Sequence, residues 1–355
     1  MAKFIGPTTV GGQEVRRVRY QDFLENLAAN SSPGEGVVVT SNVTYSYSFS
    51  YLSDGQVADD TSWTVFPIPG PVQGVSNGYT SANSPATAGH DINKLSFSSD
   101  TDSISIGSLT VARAGGSGQS SRTHGYSSGG ITPFGHDNTI DKFPFSSDTD
   151  AADVGELAIT LRASAGHSSS TDGYTSGGSN PPNIYNTIQK FPFSADTPAT
   201  SSASLGITSQ FHSGHSSPTH GYTAGNFPVV NTIRKFPFAS STTGTSVGSM
   251  TTGKHFVGGS SSDTHGYVLG GATSPSVFTS AIEKFPFATN TNSVNTADLI
   301  GPIRASVGVN STVSGYSTGG NYGTVIQKFP FSSDAPASSV GVLTSGKQYG
   351  AGNQV

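Results

Sequence analysis

Apolar residues along this chain come in short runs that are bounded by Gly, Pro, Asn or Asp, above all from residue 72 onward. Runs of about four to eight residues with such boundaries are typical of β-strands. The repeated part of the chain shows no periodicity of about 3.6 residues, which an amphipathic helix would require. The clearest alternation of apolar and polar residues lies between Val37 and Tyr51, and it predicts one long strand or two strands with a bend at Ser41-Asn42. The pattern therefore predicts an all-β protein.

Two short motifs recur six times in the second part of the chain. The dipeptide Gly-Tyr recurs at intervals of 45 to 49 residues, with its tyrosines at Tyr79, Tyr126, Tyr174, Tyr222, Tyr267 and Tyr316. Each copy is followed by KFPF, or by KLSF in the first repeat, and the lysines of this motif are Lys94, Lys142, Lys190, Lys235, Lys284 and Lys328. A period of about 40–50 residues is typical of the blades of a β-propeller.

One repeat predicts four strands, which we name A to D in chain order. In the copy that starts at residue 163 they are AGHSS, GYTSGG, TIQKFPF and SLGIT. Ile188 and Phe191 lie on opposite faces of strand C, so both faces of this strand should be covered. Pro192 cannot donate a ladder hydrogen bond, so strand C should lie near a sheet edge or end at this residue.

The two ends of the repeat array predict a closed ring. The first repeat begins with strand B near Ser76 and has no strand A before it. The C-terminal residues 347–355 match strand A and supply the missing strand. A closed ring needs such an offset, whereas an open solenoid gains nothing from it. We therefore predict a six-bladed β-propeller over residues 72–355, closed by the C-terminal strand, after a small N-terminal β-rich attachment region over residues 1–71.

The order of the motifs resembles a known repeat family. The sequence R-x-S-x-G-H, followed by G-Y-T-S-G-G and I-Q-K-F-P-F, is similar to a divergent kelch repeat. The fourth-strand Trp of that pattern is missing, because the single Trp of the chain is Trp63. The form KFPFSSDTDA…VGEL…GYTSGG is also similar to repeats in virion structural proteins of marine cyanophages. The resemblance covers residues 72–355 and implies a kelch-like propeller with a role in a phage particle.

Residues 1–71 do not repeat and hold a different set of predicted elements. A short helix is expected from Tyr20 to Ala29, a turn at Asp54-Gly55 and a returning strand from Thr61 to Ile68. A sheet this small has too little core to stand alone. Its apolar face should pack on the propeller as a lid, on a second copy of the chain in a homo-oligomer, or on a partner protein. The candidate anchoring surface consists of Phe23, Leu24, Leu27, Tyr45, Tyr47, Phe49, Tyr51 and Trp63.

Basic residues recur at a second position, shortly after strand D. This candidate basic rim is formed by Arg113, Arg162, Lys254, Arg304 and Lys347. Gln210 interrupts the series. In a closed ring these side chains should lie at one radius. They are expected either to make a repeated fold-forming contact with the carbonyl groups of a neighbouring blade, or to form a rim that binds an acidic glycan or a partner.

Histidine and aspartate residues recur in patterns that fit local structure better than a metal site. The slot before Gly-Tyr holds Asn77, His124, Asp172, His220, His265 and Ser314, which is typical of a local turn hydrogen bond. The loop after strand C holds Asp148, Asp150, Asp153 and Asp196, with Asp100, Asp102 and Asp334 in other copies. Its counterparts at residues 240–244 and 289–293 contain no Asp, although a Ca²⁺ site would need several converging oxygen ligands. We therefore predict no metal site, and a packing role for His167 and His215.

Composition excludes several function classes. The chain has no Cys, which excludes disulfides, thiol catalysis, zinc ribbons and iron–sulfur clusters. Its net charge is −5 and no basic run occurs, so a nucleic-acid footprint is not expected. No apolar stretch approaches about 18 residues, so neither a membrane span nor a signal peptide is expected. No H-E-x-x-H motif, P-loop or sialidase Asp box occurs, so we predict no catalytic residue, no cofactor and no enzyme activity.

These observations favour a non-enzymatic structural protein of a phage virion. We expect an exposed head, neck or tail appendage that is anchored to other virion proteins (capsid, neck or tail) through residues 1–71. Attachment to a host surface glycan is a plausible extension of this role, and a purely decorative role fits equally well. Location on the virion also explains why no secretion signal is needed, because lysis releases the particles. The alternative is a cellular carbohydrate-binding or adaptor protein with a kelch-like propeller.

Overall fold

The structure, a computed structural model, describes residues 76–82 and 90–354 together with short strands among the first 75 residues. The chain divides into two units, Met1–Pro69 and Gly70–Val355. The second unit is a six-bladed β-propeller, and no helix occurs among the described residues. The predicted all-β, six-bladed fold is confirmed, whereas the predicted functional boundary between residues 71 and 72 stays a prediction.

Each blade is built on four antiparallel strands in the order A-B-C-D. In blades 1, 2 and 3 these strands are Ala351–Gln354, Asn77–Ser81, Asp91–Ser96 and Ile104–Ser108; Ser117–Ser120, His124–Thr132, Gly135–Pro144 and Ala152–Glu156; and Ala165–Ser168, Asp172–Ser176, Thr187–Pro192 and Thr200–Ser204. In blades 4, 5 and 6 they are Ser213–Ser216, His220–Ala224, Val230–Pro237 and Thr245–Lys254; Gly258–Ser261, His265–Leu269, Val277–Pro286 and Val294–Ile303; and Val307–Asn310, Ser314–Thr318, Val325–Pro330 and Ser338–Val342. The B–C loops of blades 3 and 5 add the short strands Ser179–Asn180, Asn183–Ile184 and Ala272–Ser274.

The C-terminal strand closes the ring. Strand A of blade 1, Ala351–Gln354, pairs antiparallel with its strand B, Asn77–Ser81, and Gly352 lies opposite Thr80. The first blade is thus completed by the far end of the chain, as the offset between the repeat ends predicts. Opening the ring requires breaking this ladder.

Strand D begins earlier than the sequence pattern predicts. In blade 3 the predicted strand was SLGIT, residues 204–208, but the observed strand is Thr200–Ser204. Strand D is the outermost strand of the blade, so its residues are polar and partly exposed, and no apolar pattern marks it. Leu205 follows the strand and packs into the core between blades 3 and 4.

Strand C of blade 3 ends at Pro192, which was one of the two predicted alternatives. It is not an edge strand, because it pairs with strand B on one side and strand D on the other. Ile188 and Phe191 are both buried, so both faces of the strand are covered as predicted.

The recurring Tyr and Phe residues form the core between blades. The strand B tyrosine of one blade stacks on the second Phe of the KFPF motif in the next blade, as Tyr126 does on Phe193 at a ring-centroid distance of 5.0 Å. The first Phe of that motif, Phe191, lies 5.4 Å from the same tyrosine ring. The series closes between Tyr316 of blade 6 and Phe97 of blade 1, at 4.8 Å. Such aromatic pairs contribute about 0.5–1.5 kcal/mol each beyond their burial, so these motifs specify the blade junctions.

In the first unit the structure describes only strands. The paired strands are Thr9–Val10 with Gln13–Glu14, Gly36–Thr40 with Thr44–Phe49, Thr44–Phe49 with Phe66–Pro67, and Tyr51–Ser53 with Gln56–Ala58. The alternating segment between Val37 and Tyr51 contains two strands that pair with each other, Gly36–Thr40 and Thr44–Phe49, and Tyr51 begins a third. Two strands were one of the predicted alternatives, whereas their pairing was not predicted. The predicted helix from Tyr20 to Ala29 and the turn at Asp54-Gly55 lie outside the described residues.

Candidate functional site

The two ends of the blades present different loops. Because successive strands are antiparallel, the B–C loops and the connections from strand D to the next strand A emerge at the same end of the propeller, which we call the B–C face. The A–B and C–D loops emerge at the opposite end, the A–B face. The A strands of neighbouring blades contact one another around the central axis, so the D-to-A connections run across the B–C face towards that axis.

The basic residues after strand D belong to two different structural positions. A buried Leu or Met lies in or just after strand D of each blade, at Leu109, Leu157, Leu205, Met250, Leu299 and Leu343. Four residues later is what we call the inner position, occupied by Arg113, Leu161, Ser209, Lys254, Ile303 and Lys347. Five residues later is the outer position, occupied by Ala114, Arg162, Gln210, His255, Arg304 and Gln348. The predicted basic rim therefore mixes side chains from two positions.

At the inner position, Arg113 is fully buried and bonded to the following blade. Its Nη2 atom lies 2.9 Å from Asp141 Oδ2, and its Nη1 atom lies 2.7 Å from Asp137 Oδ2. Nη2 also donates to the carbonyl oxygen of Ser127 at 2.8 Å. A buried charge needs such pairing, because an isolated one would carry a large desolvation cost. Arg113 is a fold-forming residue of the kind that the first of the two alternatives describes.

Lys254 and Lys347 are buried in the same way at two other junctions. Lys254 Nζ lies 2.7 Å from Glu283 Oε1 in the next blade, and Lys347 Nζ donates to the carbonyl oxygen of Asp91 at 3.1 Å. Burial by itself would raise the pKa of the Glu283 carboxyl, but the adjacent ammonium and the hydrogen bonds around it outweigh that effect and lower the pKa. Burial lowers the pKa of Lys347 to about 8, against the opposing charge of Asp91. None of the three inner basic side chains is part of an exposed rim, which corrects that part of the prediction.

The remaining two members of the predicted rim, Arg162 and Arg304, occupy the outer position and stay partly exposed on the B–C face. The Arg304 guanidinium lies over the rings of Phe278 and Phe256, at 4.8 and 5.5 Å from their centroids. Neither arginine forms an ion pair with a carboxylate of residues 76–82 or 90–354. They follow strand D of blades 2 and 5, so they lie three blades apart, on opposite sides of the axis.

The residue after the outer position forms a ring around the axis, which we call the axial ring. Its members are Gly115, Ala163, Phe211, Phe256, Ala305 and Tyr349, and each has a φ between +54° and +70°. The backbone N–H of each member donates to the carbonyl oxygen of the preceding member at 2.7–3.0 Å, and Gly115 closes the circle by donating to Tyr349. The left-handed φ is what turns each connection into this circle of hydrogen bonds.

The three aromatic members of the axial ring meet on the axis. The centroid of Phe256 lies 4.3 Å from that of Phe211 and 5.4 Å from that of Tyr349, and all three rings are half-buried. Burial raises the pKa of Tyr349, and the charges of Arg304 and Arg162 oppose this, so both guanidinium groups act on this ring. We call these three rings and two arginines the axial mouth. Sequence reasoning missed its aromatic part, although an aromatic residue six positions after the buried Leu or Met was a readable signal.

A cavity of about 150 Å³ lies along the axis between the A strands, and its lining begins with the residue that follows each member of the axial ring. The A strands that surround it each carry one glycine at the same level: Gly118, Gly166, Gly214, Gly259, Gly308 and Gly352. A Cβ atom on any of these glycines would collide with the carbonyl oxygen of the corresponding glycine in the neighbouring blade. Glycine is therefore required for the six innermost strands to approach this closely.

Three buried histidines lie around this cavity. Burial lowers the pKa of His167 to about 3 and the pKa values of His212 and His215 to about 4, so all three are neutral at pH 7. The Nδ1 atom of His167 lies 3.1 Å from the carbonyl oxygen of His215, and Nδ1 of His215 lies 3.0 Å from that of Ser260. These ring nitrogens join neighbouring blades, as the packing role predicted for His167 and His215 implies.

Two segments have the G-x-S-x-G spacing of a hydrolase nucleophile elbow, residues 125–129 and 315–319. Their serines, Ser127 and Ser317, lie inside strands B and are fully buried, whereas such a nucleophile needs an exposed strand-to-helix turn. Among the described residues, no group of three or more His, Asp or Glu side chains could hold a metal ion.

The A–B face carries ion pairs between blades. The Lys of the KFPF motif pairs with an Asp in the C–D loop of the next blade, at 2.7–3.0 Å in Lys94–Asp148, Lys142–Asp196, Lys284–Asp334 and Lys328–Asp100. Lys190 faces a loop with Ser241 at this position and pairs instead with Asp172 of its own blade. These aspartates therefore bind the neighbouring blade, beyond the turn role that the sequence predicts.

The three histidines before Gly-Tyr make the expected local contacts. The Nδ1 atoms of His124, His220 and His265 lie 2.8–2.9 Å from the hydroxyl oxygen of the preceding threonine. Each of these hydrogen bonds joins adjacent residues in the A–B loop, so the slot serves local structure.

No family model and no curated protein matches this chain. Solved structures do match it, and one of them is the structure of YjhT. The match covers 68% of this chain and 88% of that chain, with a TM-score of 0.58 and 13% sequence identity. At this identity the likeness shows the propeller fold alone. The resemblance to kelch and cyanophage repeats stays a prediction.

The predicted anchoring surface belongs to the first unit. Phe23, Leu24, Leu27 and Trp63 lie outside the described residues. Tyr45, Tyr47, Phe49 and Tyr51 lie in described strands, of which only the backbone is described. This surface stays a prediction. Within the described part of the chain, no helix has the length and hydropathy that crossing a membrane requires.

Proposed function

We propose that this protein is a non-enzymatic structural component of a phage particle, exposed as a head, neck or tail appendage. The observation that carries the proposal is the similarity of its repeat, KFPFSSDTDA…VGEL…GYTSGG, to repeats of cyanophage virion structural proteins. In this propeller the Tyr, Lys, Phe and Asp residues of that motif make the contacts between blades. The residues that carry the similarity are therefore those that build the ring. From this similarity in architecture we propose a similar location, in the phage particle.

A binding role without catalysis is supported by the form of the central cavity. Its volume of about 150 Å³ lies below the range of roughly 300–1,000 Å³ that is usual for small-molecule sites. Its buried histidines are neutral and bonded between blades, so they are not placed as acids or bases for a substrate. The partly exposed groups of the axial mouth are aromatic rings and guanidinium groups, which suit recognition. A propeller can host many activities, so this argument rests on the site and not on the fold.

Residues 1–71 provide the attachment to other virion proteins (capsid, neck or tail) in this proposal. All six blades lie in the second unit, so an anchor is not needed to complete the ring. The test supplies tagged full-length protein or tagged residues 72–355 during infection and measures both in gradient-purified particles by immunoblot. Full-length protein should be incorporated and the truncated protein should not. Equal incorporation would contradict the anchoring role.

The alternative, a cellular carbohydrate-binding or adaptor protein, is favoured by one observation. The axial mouth combines partly exposed aromatic rings with arginines, and these residue types are enriched at recognition surfaces. This function needs no particle, so glycan binding by a protein that is absent from purified particles would favour it over the virion role.

A further inference from the structure

The left-handed backbone conformation of the axial ring does not require aromatic side chains. A left-handed φ favours glycine, and Gly115 supplies it at one of the six equivalent positions. Alanine at two further positions shows that the ring also closes with a small side chain. Phe211, Phe256 and Tyr349 keep large rings in this strained conformation. The closed ring requires the left-handed φ but not the large side chains, because glycine and alanine also close it, and this points to a use for the aromatic rings themselves.

The three rings form an apolar floor at the centre of the B–C face. They pack against one another at centroid distances of 4.3 to 6.1 Å, and each remains partly exposed. The B–C loops around them carry further exposed apolar side chains, among them Phe134, Phe227 and Tyr322. The rings are inclined by 50–62° to one another, so the floor is uneven, and its individual ring faces suit the apolar faces of sugar rings, whose C–H groups contact aromatic π-systems.

The charge at the mouth specifies the sign of the ligand. Arg162 and Arg304 lie on opposite sides of the axis and have no carboxylate partner among the residues that the structure describes. The protein as a whole carries a net charge of −5, whereas the two guanidinium groups without a carboxylate partner make the axial mouth locally positive. Arginine binds carboxylates in a planar, two-pronged geometry, and it stacks on aromatic rings at the same time.

We propose that the axial mouth binds a carboxylate-bearing sugar residue of a surface polysaccharide. The sugar ring lies on Phe211, Phe256 and Tyr349, and Arg162 or Arg304 receives the carboxylate. This inference deepens the proposed function. It rests on that function only for the origin of the polysaccharide, the surface of a phage host, and not for the binding itself. A second copy of this chain is a poorer occupant, because it would bring two more guanidinium groups against the same positive mouth.

The test is isothermal titration calorimetry of the full chain with hexagalacturonate, and with its fully methyl-esterified form as the uncharged match. Hexagalacturonate should bind, its affinity should fall as salt is added, and the ester should bind at least about tenfold more weakly, because a hydrogen bond to a charged group is lost. No binding of hexagalacturonate, or equal binding of the two forms, would overturn the proposal.

Substitutions copied from other blades keep the fold while they remove the site. Arg162→Gln and Arg304→Gln reproduce the residue found at the outer position in Gln210 and Gln348, and Phe256→Ala reproduces Ala163. Because either arginine can receive the carboxylate, the two arginine substitutions are combined in one double variant. This double variant and Phe256→Ala should each weaken hexagalacturonate binding about tenfold without loss of the folded state in circular dichroism. Lys235→Gln removes the same charge from the A–B face and should leave binding unchanged.

If Lys235→Gln weakened binding as much as the arginine double variant does, the binding would be explained by the overall charge of the protein, and the proposed site would be wrong. A dimer that is lost in the arginine variants, with no change in sugar binding, would identify a second copy as the occupant and would also contradict it. The assay uses free protein, so its outcome is independent of whether the chain is found in phage particles.

Discussion

At two blade junctions a buried cation faces a buried carboxylate in the next blade, Arg113 with Asp141 and Lys254 with Glu283. Lys254 faces Glu283, and both side chains are about 1% exposed. Where the inner position holds Leu161, the residue equivalent to Glu283 is Gln189, and its Oε1 atom accepts a hydrogen bond from the backbone N–H of Ile159. Between these junctions the charge and its partner change together, which avoids an unpaired charge in the core; at Lys347 the equivalent residue is Asn93 and the ammonium group bonds a carbonyl oxygen instead.

Breaking one of these pairs should be costly, and copying another junction should restore stability. Glu283→Gln leaves Lys254 as an unpaired buried cation, and we expect the free energy of unfolding to fall by about 3–5 kcal/mol. The double variant Lys254→Leu with Glu283→Gln reproduces the Leu161–Gln189 junction and should recover most of this loss. Urea denaturation measures both. A double variant no more stable than the single one would show that the pairing is not what the site requires.

The buried histidines should make the propeller sensitive to mild acid. Their pKa values in the folded state are about 3 for His167 and about 4 for His215, against about 6.5 in an unfolded chain. Below about pH 6.5 the unfolded state binds more protons than the folded state, so stability falls as the pH drops towards 4. Each histidine contributes a loss of about 1.4 kcal/mol per pH unit over this range.

His215→Gln, which copies Gln119 at the same position in blade 2, isolates this effect. We expect its free energy of unfolding to fall less between pH 7 and 4.5 than that of the unchanged protein. Urea denaturation at the two pH values provides the comparison. An identical loss in both proteins would mean that His215 is protonated in the folded state or lies outside the cooperative core.

At the scale of the strands, the polarity of a strand's residues decides whether its position can be predicted from the sequence. Strands A to C and their boundaries could be predicted because Gly, Pro and aromatic residues recur at each junction. Strand D of blade 3, Thr200–Ser204, could not, because an outermost polar strand leaves no apolar signature. In the connection after strand D, a basic residue at the inner position is buried, as Arg113 is, and one at the outer position is partly exposed, as Arg162 is. The two positions differ by one residue, and the sequence alone did not separate them because the buried leucines that serve as the reference had not been aligned.

The close approach of the six A strands at the axis can be tested at the glycine position that they share. A Cβ atom on Gly166 would collide with the carbonyl oxygen of Gly118, so Gly166→Ala should lower the free energy of unfolding by about 1–3 kcal/mol or more. Gly301→Ala is the matched control, because nothing lies within 4 Å of a Cβ atom there. Thermal unfolding followed by circular dichroism measures both. Equal midpoints for the two variants would contradict the close approach at the axis.

At the scale of the whole molecule, the ring and its closure follow from the repeat count and the offset of the chain ends. The axial mouth does not follow from them, because it exists only after six connections meet on one axis. Phe211, Phe256 and Tyr349 are far apart in sequence, and their left-handed φ is a property of the closed ring. The anchoring surface of the first unit was predicted from the pattern of apolar residues and stays a prediction. Its test requires the whole particle.

The most direct test of the proposed role is mass spectrometry of gradient-purified phage particles from the source of this chain. Peptides from both units should be recovered in constant ratio to the major capsid protein, and the copy number should match the symmetry of a capsid, neck or tail position. Peptides that are present in the lysate but absent from intact particles would contradict the virion role and leave the propeller as a free glycan-binding protein.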